Sequence, residues 1–220
     1  MSGRKRAEGS RRRLITAAGG EFAELGFAGA SVDRIAEGAG VNKAMIYYCF
    51  ADKLDLYRQT IREMYLAVHE RVAAVADTGE PAPAKLDAFV AALVTEASRR
   101  PYFPRIAMRE IADRAVHLDR DTIQAMLAIP GVLERILTEG ADRGELRHVD
   151  PLLAYFTVLG PIVLHFGTAA ALEGHLAEHG VALRFEADSG RLLAHVQSLA
   201  RAMTSASLTS PVASSRVEVP

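Results

Sequence analysis

Residues 41–50, VNKAMIYYCF, place a lysine and two adjacent tyrosines on one short stretch that follows a glycine. Hydroxyl and ammonium groups in such a cluster can hold phosphate oxygens or reach the edges of nucleic-acid bases. Two core aromatics with polar tips in water would give the same residue types. The neighbouring Gly40, Asn42 and Lys53 favour the DNA contact, because they add a turn, a helix cap and a second cation.

The flanking sequence predicts two short helices joined by a tight turn. Ser31 is a favourable N-cap for the first helix, and Asn42 caps a second helix that ends near Tyr48. Gly40 can adopt the left-handed backbone that the turn requires. This arrangement is a helix-turn-helix, whose second helix enters the major groove of DNA.

The side chains of this unit divide by the part of DNA that they would contact. Those on the outward, N-terminal side of the second helix would face base edges: Lys43, Ala44, Met45 and Tyr47. The helix cap Asn42 is also counted among the DNA-binding residues. Those at helix ends would hold phosphates: Ser31, Tyr48 and Lys53. Met45 cannot donate a hydrogen bond, although it can contact a thymine methyl group.

Charge is unevenly distributed along the chain. Residues 1–62 hold 11 Lys or Arg against 7 Asp or Glu, whereas residues 63–220 hold 15 against 20. Two arginine-rich clusters lie at the N-terminus, and we count Arg11 and Arg12 among the DNA contacts. The clusters alone are equally typical of a solvated, disordered tail.

The elements that position these residues are helical throughout. Apolar residues recur at helical spacing, and no strand pattern is found, so we predict an all-α fold. The expected organisation is a basic disordered arm at 1–10, a DNA-binding domain at 11–57, a helical regulatory and dimerisation domain at 58–204, and a disordered tail at 205–220. We expect Asp52 and Asp55 to form a capping box at the start of a long helix.

Residues 151–172 contain no charged side chain and are long enough to span a bilayer. Gly160, Pro161 and His165 interrupt the segment, which favours a helix buried between protein surfaces. With a single cysteine, Cys49, and no signal segment, we expect a cytoplasmic protein without a membrane anchor.

The stretch GVNKAMIYYCFADK, together with the upstream SVDRIAEGAG and LITAAGGEFAELGF, resembles the DNA-binding domain of the TetR family of bacterial transcriptional regulators. The resemblance covers residues 10–57. Three positions depart from the family pattern: Ala44 where glycine is common, Met45 in place of a frequent Thr or Ser, and Cys49 in place of histidine.

The resemblance implies a C-terminal helical domain that binds a small molecule and pairs with a second copy. Residues that would line the pocket are Tyr102, Phe103, Met108, Arg109, Met126, Tyr155 and His165. Residues that would form the dimer interface are Leu159, Ile162, Phe166, Leu192, Val196, Leu199 and Met203. The pocket candidates are more typical of ordinary core or surface positions, because Met and aromatic residues at helical spacing also fill cores. The implied function is a dimeric repressor that a small-molecule effector releases from a palindromic operator.

Two other regulators remain open. His175 and His179 are spaced for zinc chelation, which would suit a metal-responsive regulator, although histidines are also common near a helix end. The second alternative is a protein that binds DNA without sequence preference. No phosphate loop, nucleophile elbow or metalloprotease pattern occurs, so we expect neither an enzyme nor a cofactor nor a bound metal.

Overall fold

The computed structural model describes residues 2–181 and 189–205, with side chains at 7–169, 172–181 and 189–205. These residues form helices and no strand, which confirms the predicted all-α fold. The helices are α1 (Ser2–Gly29), α2 (Val32–Gly38), α3 (Ala44–Cys49), α4 (Lys53–Ala76), α5 (Ala82–Arg99), α6 (Tyr102–Ala112), α7 (Arg120–Asp142), α8 (Pro151–Glu178) and α9 (Ser189–Thr204).

Aspartates start three of the long helices. Asp52 accepts a hydrogen bond from the Asp55 backbone N–H at 2.8 Å, and the Asp55 carboxylate accepts from the Ala51 N–H at 2.9 Å. The predicted capping box is therefore confirmed. Asp119 and Asp150 begin α7 and α8 in the same way. Each such cap satisfies backbone donors that the first turn leaves unpaired.

The first helix begins earlier than predicted. It begins at Ser2, so most of the segment predicted as a disordered arm continues α1, whose alanine, glutamate and basic residues favour helix. Near its other end Gly26 has φ of 69° and breaks the helical backbone. The predicted tail, apart from Ser205, lies outside the described residues.

The long helix α4 joins the two parts of the chain. It packs against α1 on one side and against α5 and α7 on the other, and its buried residues run from Leu56 to Ala76. The predicted domain boundary after Tyr57 falls inside this helix. A displacement of the regulatory core can therefore reach the DNA-binding part through one rigid element.

Helix α8 contacts α5, α6, α7 and α9, and it continues as one helix through Pro161. Among the described residues, its segment Pro151–Ala169 is long and apolar enough to cross a membrane by length and composition only. Its packing against four helices agrees with the predicted helix between protein surfaces. Only 22% of that segment is buried within the protomer, however, so much of its apolar surface remains exposed.

Candidate nucleic-acid interface and effector cavity

The turn between α2 and α3 has the geometry expected of a helix-turn-helix. Gly40 has φ of 62°, and the Val41 N–H donates to the Ala36 carbonyl at 3.0 Å. Ile35, Ala36 and Ile46 are buried beneath the turn. Asn42 caps the second helix, since its side-chain oxygen accepts from the Ala44 N–H at 2.8 Å.

Both tyrosines of α3 point away from the core. Ile46 is fully buried, whereas Tyr47 is 55% exposed and Tyr48 is 74% exposed. This exposure contradicts the interpretation of the tyrosines as core aromatics. Both rings are therefore available to a partner on the outer side of α3.

Lys43 forms an ion pair across the helix-turn-helix. Its Nζ lies 2.9 Å from Asp33 Oδ1 on α2, and both side chains are exposed. The hydrogen bond and charge of Asp33 raise the pKa of Lys43 above its usual range. A contact with a base requires Lys43 to leave this partner, and exposed pairs of this kind hold together only weakly.

Lys53 already contacts the end of α1. Its Nζ donates to the Ala28 carbonyl at 3.2 Å and lies 4.9 Å from the centroid of the Phe27 ring. Ser31 occupies the N-cap position of α2, but its hydroxyl makes no cap hydrogen bond, and its backbone N–H donates to Glu21 Oε1 at 2.9 Å. Both residues thus lie at the junction of α1, α2 and α4.

Arg11 differs from the expected DNA contact. It forms an ion pair with Glu63, donates to Gln59 Oε1 at 2.7 Å and lies over the Phe50 ring. It therefore ties α1 to α4, whereas the neighbouring Arg12 is exposed. Charge spacing in a sequence does not reveal which arginine has an acidic partner 52 positions away.

The regulatory part contains a cavity of about 330 Å³. Its wall is apolar apart from a few groups, and several wall residues are more than half exposed, so the cavity opens to solvent. The lining residues are Tyr65, Val68, Leu93, Glu96, Ala97, Phe103, Pro104, Ala107, Glu110, Ile111, Arg114, Ala115, Leu118, Met126, Leu127, Ile129, Pro130, Leu152, Tyr155, Phe156, Leu159, Ile162 and Val163. A pocket of this size and polarity suits a small or elongated apolar molecule.

Three of the residues predicted for the pocket, Phe103, Met126 and Tyr155, line this cavity. Burial raises the pKa of Tyr155 to about 12, so its hydroxyl stays protonated and can donate a hydrogen bond. Tyr65 on α4 also lines the cavity, and burial raises its pKa still further.

The other four predicted pocket residues lie elsewhere. The Tyr102 ring packs against Gly19, where an added Cβ would come within 2.5 Å of it, and Met108 packs against Gly167 in the same way. Arg109 donates to the Ala23 and Glu24 carbonyls, and His165 lies beside Phe166. The side chains of Tyr102, Met108 and Arg109 thus hold α6 against α1 and α8.

Two buried carboxylates of the cavity wall have very different partners. Glu96 is 2% exposed and forms ion pairs with Arg71, Arg99 and Arg100. Glu110 is 5% exposed, accepts a hydrogen bond from the Tyr57 hydroxyl at 2.6 Å and lies 2.9 Å from His117 Nδ1. Neither glutamate was predicted from the sequence, although the helical spacing of Glu96 and Arg100 is a recognisable signal.

Glu110 connects the cavity wall to the DNA-binding part. Desolvation and the hydrogen bond to Glu110 raise the pKa of Tyr57, which keeps its proton in the bond. The rings of Tyr57 and His117 pack against Phe27, at 5.2 and 4.7 Å between centroids. Phe27 is the ring beneath Lys53, so the contacts run from the cavity to a residue predicted to hold phosphate.

Helix α8 exposes large apolar side chains that the protomer does not cover. Leu152, Leu153, Phe156 and Leu164 are each more than half exposed. Two of the predicted interface residues, Ile162 and Val196, are instead buried inside the protomer, and Leu159 lines the cavity. The nearly all-apolar sequence of α8 gives no signal for which of its sides meets a partner, which explains why Ile162 was predicted at the interface. Phe166, Leu192, Leu199 and Met203 are half-buried.

Comparison with known proteins places this architecture. Residues 14–60 match the model of the family described as bacterial regulatory proteins, tetR family. No curated protein sequence matches the chain.

Solved structures share the fold over most of their length. A TetR family transcription regulator from Marinobacter aquaeolei VT8 superposes with a TM-score of 0.68 at 18% identity, over 91% of this chain and 98% of that one. The fatty acid degradation regulator FadR from Bacillus halodurans gives a TM-score of 0.65 at 19% identity, over 86% and 93% of the two chains. FadR from Bacillus subtilis, solved in complex with stearoyl-CoA, gives 0.60 at 23% identity, over 85% and 97%.

An exposed recognition helix after a glycine turn, joined by α4 to a larger helical domain with a cavity, defines a helix-turn-helix transcriptional regulator. Residues 14–60 carry the DNA-binding domain of the family described as bacterial regulatory proteins, tetR family. The predicted resemblance is confirmed, and the larger domain has the fold found in that family's solved structures.

Proposed function

We propose that the protein is a dimeric repressor that binds a palindromic operator and leaves it when an apolar effector enters the cavity. The observation that carries this proposal is the chain of contacts from the cavity wall through Glu110 and Tyr57 to Phe27 and Lys53. It gives the cavity a physical path to the helix-turn-helix.

Two connections support the release mechanism. Helix α4 lines the cavity with Tyr65 and Val68 and starts beside the recognition helix. Helix α6 lines it with Phe103 and Glu110, and its Arg109 holds two carbonyls at the end of α1. An effector that separates α4 from α6 therefore displaces the DNA-binding part. Regulation requires the effector to favour the displaced arrangement by about 1–3 kcal/mol.

We propose a long acyl chain as the effector class. The cavity wall is almost entirely apolar and opens to solvent, which suits a chain inside with a polar head outside. The structure of Bacillus subtilis FadR, which has a similar fold, contains stearoyl-CoA. Acyl-CoA thioesters and the free fatty acids of matching length are therefore the first molecules to test.

The dimer is proposed to form through the uncovered side of α8. Leu153, Leu164 and their exposed neighbours present apolar surface over several turns, and such patches on soluble proteins mark association sites. A twofold pair presents two copies of α3, which requires inverted half-sites about 34–36 Å apart, or a further helical turn apart.

Selection of DNA from random fragments by the purified protein tests the operator. The proposal predicts enrichment of one inverted repeat and at least about 10³-fold preference over bulk DNA. Equal recovery of all fragments would instead identify the protein as one that binds DNA without sequence preference.

A further inference from the structure

Beside the cavity lies a group of three acidic and histidine side chains, of which Glu110 also takes part in the proposed coupling. Glu110 on α6, Asp113 at the end of α6 and His117 in the following turn each offer a ligand atom, and these atoms lie within 4.8 Å of one another. Arg114 and Ala115, between them, have φ of 57° and 56°. This backbone turns the chain so that His117 Nδ1 comes to 2.9 Å from Glu110.

Glu110 has a carboxylate oxygen without a partner. Glu110 Oε1 accepts the hydrogen bond from the Tyr57 hydroxyl and lies next to His117 Nδ1. Glu110 Oε2 is buried and accepts no hydrogen bond in the described structure. A buried acceptor left unpaired costs about 1–3 kcal/mol, and more when it is charged. The unpaired oxygen is a second observation beside the clustering of the three side chains, and a bound cation would pair with it.

The two buried glutamates of the cavity wall differ in charge compensation. Three arginines neutralise Glu96. Within the described part of the chain, no lysine or arginine forms an ion pair with Glu110 or Asp113, and His117 is the single basic partner of Glu110. The negative charge of Asp113 also reaches this group, since it contributes to the raised pKa of Tyr57. The two carboxylates, of Glu110 and Asp113, therefore have, among the described residues, only the imidazole of His117 beside them to balance their charge, and a divalent cation would balance both.

We propose that Glu110, Asp113 and His117 bind one divalent transition-metal ion, with Zn²⁺ as the best match. Imidazole nitrogen and carboxylate oxygen are both zinc ligands, and three protein ligands leave a position for water or another molecule. Alkaline-earth ions prefer oxygen ligands alone, so the histidine selects against them. The three ligand atoms already lie close together, so zinc binding should require neither an effector in the cavity nor DNA.

The exposed histidine pair of α8 supplies the matched control. His175 and His179 have ring centroids 4.7 Å apart, and His175 lies 3.7 Å from Glu178. Both histidines are exposed and would account for adventitious surface binding of zinc. The variant His175→Ala/His179→Ala removes this pair and leaves the proposed site intact.

The test is calorimetric titration of Zn²⁺ into the metal-free full-length protein, with Co²⁺ absorption as a second readout. Wild type and the His175→Ala/His179→Ala variant should each bind one ion with equal affinity. Asp113→Asn, at an exposed position, and His117→Gln should weaken binding at least about tenfold, a loss that even outer-shell substitutions produce. Circular dichroism verifies that both variants stay folded.

Two results would overturn the proposal. One is the absence of stoichiometric Zn²⁺ binding by wild type. The other is binding that persists unchanged in Asp113→Asn and disappears in the His175→Ala/His179→Ala variant, which would assign it to the surface pair. Because the titration contains neither DNA nor effector, its outcome is separate from that of the proposed repressor mechanism.

Discussion

At the scale of single residues, the sequence predicted the turn and the exposed side of α3 better than it predicted the contacts of the side chains there. Gly40, Asn42 and the buried Ile46 have local signatures, so the turn and the direction of α3 follow from the sequence. The partners of Arg11 and Lys43 are not local signals. Glu63 lies on another helix, and Asp33 comes close to Lys43 only after the turn has formed.

The division of α3 into base-reading and phosphate-holding side chains is testable. Lys53→Ala should weaken binding to all DNA sequences and reduce the salt slope by about 1, because a phosphate contact releases about one counterion. Lys43→Ala and Tyr47→Ala should weaken operator binding more than binding to bulk duplex. Fluorescence anisotropy at several salt concentrations measures both.

Arg143→Ala removes an exposed charge from the far end of α7 and serves as the control for net charge. It should leave binding unchanged. Equal losses of affinity for operator and for random duplex in Lys53→Ala, Lys43→Ala and Tyr47→Ala would contradict the division into base-reading and phosphate-holding side chains.

The N-cap of α7 gives a pH-dependent prediction. The hydrogen bond from the Thr122 hydroxyl, followed by the Thr122 N–H and Arg62, lowers the pKa of Asp119 to about 2. Since the folded pKa lies below the ordinary 3.8, its stabilisation is present above pH 4 and is lost as the pH falls toward 2. Asp119→Asn should therefore reduce the free energy of unfolding more at pH 7 than near pH 2.

Urea unfolding at the two pH values measures this difference. Asp121→Asn, two residues further on and 70% exposed, is the control and should show little change at either pH. A cost of Asp119→Asn that is the same at pH 2 and pH 7 would exclude the electrostatic part of the explanation.

At the scale of helices, capping residues predicted where several elements begin. Helices α2 and α4 start directly after the predicted caps Ser31 and Asp52, and α3 starts within two residues of Asn42. The pocket was predicted less well, because Met and aromatic residues at helical spacing look alike in cores and cavities. Tyr102 and Met108 instead fill the space over Gly19 and Gly167, which only the pairing of helices reveals.

Helix α6 carries the prediction on coupling. Arg109→Ala removes the hydrogen bonds from α6 to the end of α1 while leaving the cavity wall unchanged. Effector affinity should therefore persist, whereas the effect of the effector on operator affinity should fall by about 0.5–2 kcal/mol. Titration of effector into the free protein and into the protein–operator complex measures both quantities.

Arg105→Ala, on the same helix and outside the cavity wall, is the matched control and should keep the wild-type response. Full effector response in Arg109→Ala would show that the displacement travels along α4 alone.

At the scale of the whole molecule, a basic N-terminal part with a helix-turn-helix is joined to a larger helical domain in which much of α8 is exposed. The sequence indicated pairing through the last two helices. It did not indicate that Val196 and Ile162 are buried inside the protomer, where they cannot contact a partner. The remaining exposed side of α8 is what the proposed dimer must cover.

Leu164→Arg tests that dimer. Leu164 is 58% exposed and does not line the cavity, so the substitution should leave the fold and the cavity intact while placing a charge in the interface. Light scattering at micromolar concentration should give a dimer mass for wild type and a monomer mass for the variant. Leu66→Arg, at a 49% exposed position on α4, should remain dimeric.

A monomer mass for wild type that persists after operator is added would contradict the dimer. So would a Leu164→Arg variant that remains fully dimeric, because α8 would then not be the interface.

The most direct test of the central claim is the affinity of the protein for its selected operator, measured with and without saturating acyl-CoA of increasing chain length. Thermal stabilisation of the protein identifies the chain lengths that bind. For those chain lengths, the account predicts that operator affinity falls about 5–150-fold, which corresponds to a coupling of 1–3 kcal/mol. Acyl-CoA that stabilises the protein yet leaves operator affinity unchanged at every chain length would contradict the proposed release of the operator by the effector.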